Sequence, residues 1–167
     1  MGDTLDFVLR GIVMGVAGSA LMDVWSAVLR RRFGIPTLDY RLLGRWLGHI
    51  PKGRFVHERI ASSDPVPGEQ ALGWLAHYAI GVTFAFVLLA IWGRAWLEAP
   101  SIGPALAVGL GTIVAPWFVM QPAMGAGFVG SRSPNPTATR LRNLATHTIY
   151  GVGLYLAAAA MAVAVPG

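Results

Sequence analysis

The stretch "ALGWLAHYAIGVTFAFVLLAIW", Ala71 to Trp92, decides the fold. It holds no Asp, Glu, Lys or Arg. About 20 such residues in helical form cross a hydrocarbon layer of about 30 Å. One ionisable side chain, His77, stands inside it and asks for a partner, because burying a polar group without one is costly.

Three further stretches are long and apolar enough for the same crossing, at about residues 7–29, which carries Arg10 and Asp23, and at 103–121 and 144–165. None alternates polar with apolar residues as a membrane strand does, so backbone groups in lipid must be satisfied within helices. Composition agrees. Hydrophobic residues make up 54% and charged residues 13% of the chain, where about 25% charged is usual for a soluble domain. Mean hydropathy is +0.56. So few charges cannot cover a water-facing surface of this size. The expectation is an all-α, polytopic membrane protein: one membrane domain over residues 1–167, with four transmembrane helices in a bundle. The start, "MGDTLDFVLR", lacks the basic leader of a cleavable signal and reads as an uncleaved first span. Position 6 is Asp6, outside the myristoylation pattern. With no cysteine, disulfides and thiolate chemistry are excluded.

The charges set the threading. Eleven of the 13 Lys and Arg residues lie in the loop at residues 30–70, in the loop between spans three and four, or at the foot of span four; only Arg10 and Arg94 lie on the other side. The positive-inside rule therefore predicts cytoplasmic loops and two periplasmic termini. That asymmetry also accounts for the net charge of +5 and gives nucleic-acid binding no motive. Membrane lipids are the expected partners, with Arg30, Arg31, Arg32 and Arg45 on their headgroups. Within the long loop, Leu38, Leu42, Leu43, Trp46, Leu47 and Ile50 share a helical face, with Asp39, Arg41, Arg45 and His49 elsewhere. This predicts a cytoplasmic amphipathic helix at the membrane interface, bracketed by Pro36 and Pro51. Asp64 or Ser63 is the expected cap of span two, starting near Pro67, and Asn135 with Pro136 the cap of span four.

The two halves resemble each other. "AHYAIGV" at 76–82 matches "THTIYGV" at 146–152, and "GSALMDVW" at 18–25 fainter "GTIVAPWF" at 111–118. A tandem repeat of a helical hairpin explains both. In that alignment Pro116 stands where the first copy has Asp23.

Depth along the helices suggests a site. Asp23, His77, His147 and Gln121 fall at similar distances from the basic ends of their spans. Gly15, Gly18 and Ser19 share a stripe with Asp23, Gly73 and Gly81 with His77, and Gly151 with His147. Small residues admit close helix contact, so these stripes are expected to face one another. Asp23, His77 and His147 form the expected ligand, proton or metal site, with Glu69 and Gln121 beside them and His49 and His57 as further metal ligands. A divalent metal suits this donor set, and facing histidines suit a haem. Walker, H-E-x-x-H, G-x-S-x-G and dinucleotide motifs are absent.

The blocks "FGIPTLDYRLLGRWLGHIPKGRFVH", "PVPGEQALGWLAHYAIG", "QPAMGAGFVGSRSPNP" and "THTIYGVGLYL" resemble the domain-of-unknown-function 2938 family of small bacterial inner-membrane proteins. The resemblance implies a multi-spanning protein of the bacterial inner membrane and transfers no catalytic residue. Four roles stay open from the sequence: a small-ligand, metal or haem site; a proton-coupled transporter or channel-like protein; an enzyme acting on a lipid or apolar substrate; and an assembly scaffold. A homodimer or a membrane partner protein is compatible with each.

Overall fold

The computed structural model describes residues 2–164. Met1 and Gly167, and the expected last residue of span four, Val165, lie outside the described residues. Helix α1 runs over Gly2–Phe33, α2 over Tyr40–His49, α3 over Glu69–Glu98, α4 over Ile102–Gly111, α5 over Gln121–Ala123 and α6 over Pro136–Ala164. Among the described residues there is no strand. Four helical stretches are long and apolar enough to cross a membrane: Gly2–Phe33, Glu69–Glu98, Ile102–Ala123 and Pro136–Ala164.

Local sequence explains the ends. Asp3 lies in the first turn of α1 and Arg30 to Arg32 in its last, each placed favourably against the helix dipole. This extends the helix beyond the apolar 7–29 segment at both ends. In α3 the backbone leaves helical geometry at Gly93, with φ 70°, a region costly to any residue with a Cβ. The regular helical geometry of α3 therefore breaks one residue after Trp92. Asn135 Oδ1 accepts from the Ala138 N–H at 3.0 Å, which is the predicted cap of α6. The start of α3 differs from expectation. Glu69 reaches back to the Val66 N–H at 2.9 Å, the backward half of a capping box, while Ser63 and Asp64 are used elsewhere.

The third span is not one regular helix. After α4 come a turn at Thr112 and Ile113 and a π-helical segment, Pro116–Met120. Pro116 has no N–H to bond one turn back. The Gln121 N–H reaches the Pro116 carbonyl instead, which is the wider π spacing.

The chain divides into two compact units. The first comprises residues 2–36, 78–112 and 145–164 of the described chain. It is a bundle of α1, most of α3, α4 and most of α6. Met14, Ala85, Leu88, Leu89, Leu154 and Ala158 fill its core. Leu5, Leu9, Val13, Val16 and Val24 on α1 are exposed, an apolar outer face suited to lipid. The helices meet backbone to backbone. A Cβ on Gly15 would strike the backbone of Val82, one on Gly153 would lie 2.7 Å from Gly18 Cα, and one on Gly109 would lie 2.7 Å from Gly151 Cα. The first hairpin thus crosses at Gly15 and Gly81–Val82 and the second at Gly109 and Gly151. Both contacts fall at or beside the glycine four residues after the histidine, Gly81 in the first hairpin and Gly151 in the second.

The second unit comprises residues 37–77 and 113–144. Here α2 lies on the first turns of α3. Cβ atoms added to Gly44 or Gly73 would run into the carbonyls of Glu69 and Tyr40, respectively. The loop after α2 is tied to the segment after the π turn by His57 N–H to Ala123 O at 2.8 Å and Ile60 N–H to Met124 O at 3.1 Å.

The close crossing in the second hairpin is testable with two alanines. Gly103 has open space where a Cβ would go, so Gly103→Ala should hold or raise the thermal midpoint in detergent, alanine being favoured over glycine in a helix by about 1 kcal/mol. Gly109→Ala should lower it. Equal midpoints for the two variants would show that α4 and α6 are not in backbone contact.

Candidate functional site

The residues expected to form one layer fall in different units. Asp23 and His147 belong to the first, and His77, Glu69 and Gln121 to the second. Among the described residues, no three of His, Asp and Glu stand close enough to hold a metal ion together.

Each polar side chain has a neighbour the sequence did not name. Asp23 accepts from the Tyr78 hydroxyl at 2.8 Å. Thr112 Oγ1 lies 2.6 Å from the Gly109 carbonyl and 2.7 Å from His147 Nδ1. A carbonyl only accepts and the hydroxyl has one proton, so the histidine donates its Nδ1–H to Thr112. Tyr150 donates to the Gly81 carbonyl at 2.5 Å. His77 is buried, stacked on Tyr40 with ring centroids 4.2 Å apart and hydrogen-bonded to its hydroxyl at 3.2 Å. Trp74 packs edge-on to the same tyrosine. Gln121 donates its amide to Asn143 at 2.6 Å, in the Asn143 orientation that also accepts from Trp117 at 2.9 Å.

The second unit is organised by an ion pair. Arg45 and Glu69 side chains are only 10% and 12% exposed and meet at two points, 2.9 and 2.8 Å. The remaining guanidinium N–H groups go to the carbonyls of Ala61 at 3.2 Å and Ser63 at 3.0 Å. The planar fork of arginine suits this, pairing one edge with a carboxylate and the other with backbone. Hydrogen bonding to Glu69 raises the arginine pKa further above its already high value. Arg45 is thus turned away from the headgroup role expected for it. The buried face of α2 carries Leu43, Gly44, Arg45 and His49, and Leu38 is exposed. Hydrophobic spacing alone had put Arg45 and His49 on the other face.

His49 and His57, weak candidates in sequence, are brought together. Their ring centroids are 5.0 Å apart, with planes tilted by 35°. His49 is 2% exposed and His57 6%. His49 Nε2 lies 3.1 Å from the Asp64 carbonyl, and His57 Nδ1 lies 3.0 Å from Ser63 Oγ. The other ring nitrogens, His49 Nδ1 and His57 Nε2, are buried and have no hydrogen-bond partner. His57 also lines an open cleft of about 730 Å³ with Arg54, Glu58, Arg59, Ser63 and Asp64. Arg54 and Asp64 are a loose pair at 3.7 Å. Burial, then His49, then Arg54 hold His57 below the ordinary imidazole range. The loop is shaped from beneath by Gly125, with φ +93° and its α-carbon against the carbonyl of Glu58, where no larger residue fits.

Arg45→Met leaves a buried carboxylate alone and should cost about 2–3 kcal/mol of stability in detergent. Arg45→Met with Glu69→Leu should recover much of that loss, and a double variant no better than the single would remove the ion pair from its organising place. For His57, the unfolded chain takes up its proton near the ordinary imidazole value of about 6.5, while the folded chain resists it. Its contribution to stability is present above that pH and is lost as pH falls below it. The thermal midpoint should drop on acidification to pH 5 less steeply in His57→Phe than in the parent chain.

Comparison with known proteins places this architecture in a family. No curated protein and no solved structure matches the chain. The sequence model of the family described as "Protein of unknown function (DUF2938)" matches residues 12–161, a span that takes in the glycine crossings, the ion pair and both imidazoles. The chain belongs to the DUF2938 family.

Proposed function

We propose that the chain is an integral protein of a bacterial inner membrane that binds a small ligand in the second unit, at the cleft beside His49 and His57. One observation carries this reading: His49 and His57 pack together, each with a buried ring nitrogen that lacks a partner, and His57 lines an open, charged cleft. A buried unpartnered polar atom costs about 1–3 kcal/mol, and a site that exists to receive a ligand is where such a cost is tolerated. The basic loops support an orientation with this unit on the cytoplasmic side and both termini periplasmic.

A second reading, small proton-coupled transport, draws support from the interrupted third span. The turn at Thr112–Ile113 and the π segment at Pro116–Met120 give that helix a place to bend, and π turns recur at functional positions. In proteoliposomes, Asp23→Asn should then reduce proton flux, and unchanged flux would remove this reading.

The ligand reading is tested by thermal unfolding of the tag-free protein in mild detergent, with zinc chloride, sodium phosphate or sodium acetate added in turn. At least one should raise the midpoint in the parent chain and fail to do so in His57→Ala. If none of the three raises it, the cleft is not the binding site.

A further inference from the structure

We propose that His49 Nδ1 and His57 Nε2 together hold one divalent d-block metal ion, zinc being the reference case, with its remaining coordination positions open toward the cleft. This rests on the reading of the cleft as a ligand site and names the class of ligand.

Proton placement comes first. A backbone carbonyl only accepts, so His49 must carry its proton on Nε2, facing Asp64 O at 3.1 Å. In the neutral ring the lone pair is then on Nδ1, the atom without a partner. For His57, the Ser63 hydroxyl at 3.0 Å from Nδ1 can accept a proton from the ring, which leaves the lone pair on the unpartnered Nε2. Each ring is thus held through one nitrogen by an oxygen, a carbonyl for His49 and a hydroxyl for His57, and with this proton placement the other nitrogen is available. Metal-bound histidines are held in this way, by donating the second N–H to a carbonyl or similar group.

Spacing comes next. A zinc–nitrogen bond is about 2.0–2.1 Å, and an imidazole centroid lies about 1.1 Å beyond the ligating nitrogen, so two rings on one tetrahedral ion sit about 5 Å apart. The observed separation is 5.0 Å. Two neighbouring imidazoles with nothing to share would each leave a lone pair desolvated, and one cation would satisfy both.

The surroundings decide what kind of site this is. Glu58 and Asp64 line the cleft with His57, yet no third His, Asp or Glu completes a group of metal-ligating side chains among the described residues. Two protein ligands make an open site. Water, or a carboxylate or phosphate group of an incoming molecule, would take the remaining positions. Arg54 and Arg59 on the cleft wall suit an anionic arrival. Nitrogen donors with no thiolate favour zinc, copper or nickel over magnesium or calcium.

The test uses the tag-free full chain in mild detergent, stripped with chelator, dialysed against zinc chloride and analysed for bound metal. Cobalt(II) loading, read by visible absorption, gives a second measure of nitrogen ligation. About one ion per chain is expected, with at least tenfold weaker binding in both His49→Gln and His57→Gln, while Asp23→Asn and His147→Gln bind as the parent does. Loss in the variants counts only where the thermal midpoint without metal shows a folded chain. Where one variant does not fold, the other carries the comparison. A folded parent chain that takes up no metal overturns the inference, as does uptake by both imidazole variants equal to that of the parent. If metal fails while phosphate or acetate still raises the midpoint in a His57-dependent way, the inference falls and the ligand site stands. If no added species shifts the midpoint, both fall.

Discussion

Helices in lipid gain little from hydrophobic contact with each other, because the lipid chains are as apolar as leucine. What remains is close packing, and in the first unit it depends on backbone touching backbone. Gly15 against Val82, Gly18 against Gly153, and Gly109 against Gly151 bring α1, α3, α4 and α6 near enough for their neighbours to interlock. The polar groups depend on that approach. Tyr150 reaches the Gly81 carbonyl and His147 reaches Thr112 only because no side chain holds those helices apart. Ser19 shows the cost. It is 1% exposed, has an unpartnered hydroxyl, and lies where a Cβ on Gly81 would have to go.

The second unit solves a different problem. Its segments are short and loop-rich, and of their large apolar side chains only Leu43, Ile60 and Ile113 are buried among the described residues. Arg45 supplies a substitute. One guanidinium binds a carboxylate at the head of α3 and two carbonyls of the following loop, tying α2, the 60–63 turn and α3 to one point. Burial of the pair costs desolvation, and such pairs give geometric definition more than stability. Definition matters here, because the same carbonyl-rich loop orients both His49 and His57.

Much of this was legible in sequence, and the misses have physical reasons. The helix of the 71–92 segment breaks after Trp92 because Gly93 follows, and Asn135 capped α6 because an asparagine before proline has little else to do. The matching "AHYAIGV" and "THTIYGV" each carry a glycine at or beside a close helix crossing. The facing of α2 was not legible. A period of 3.6 sorts residues by hydrophobicity, and Arg45 and His49 are buried for their hydrogen bonds instead. Nor could depth along a helix say which polar residue meets which. Tyr78, Thr112 and Asn143 carry no motif, so the pairs with Asp23, His147 and Gln121 emerge only from rotation of the helices about their axes. The proximity of His49 and His57 was a consequence of loop closure, hinted at only by the glycines and prolines between and after them.

These contacts redistribute the chemistry. A histidine in an apolar helix reads as a functional group because its alternatives in lipid are so poor. Yet a hydroxyl one helix away removes much of that pressure, and Tyr40 and Thr112 serve His77 and His147 in this way. Such pairing makes the helical histidines good specifiers of which helix packs where. The imidazoles of the loop unit are held just as firmly on one side and left open on the other. Reactivity in a folded chain belongs to groups that are positioned but not saturated. By that criterion the proposed ligand site falls to His49 and His57 rather than to the histidines of the long helices.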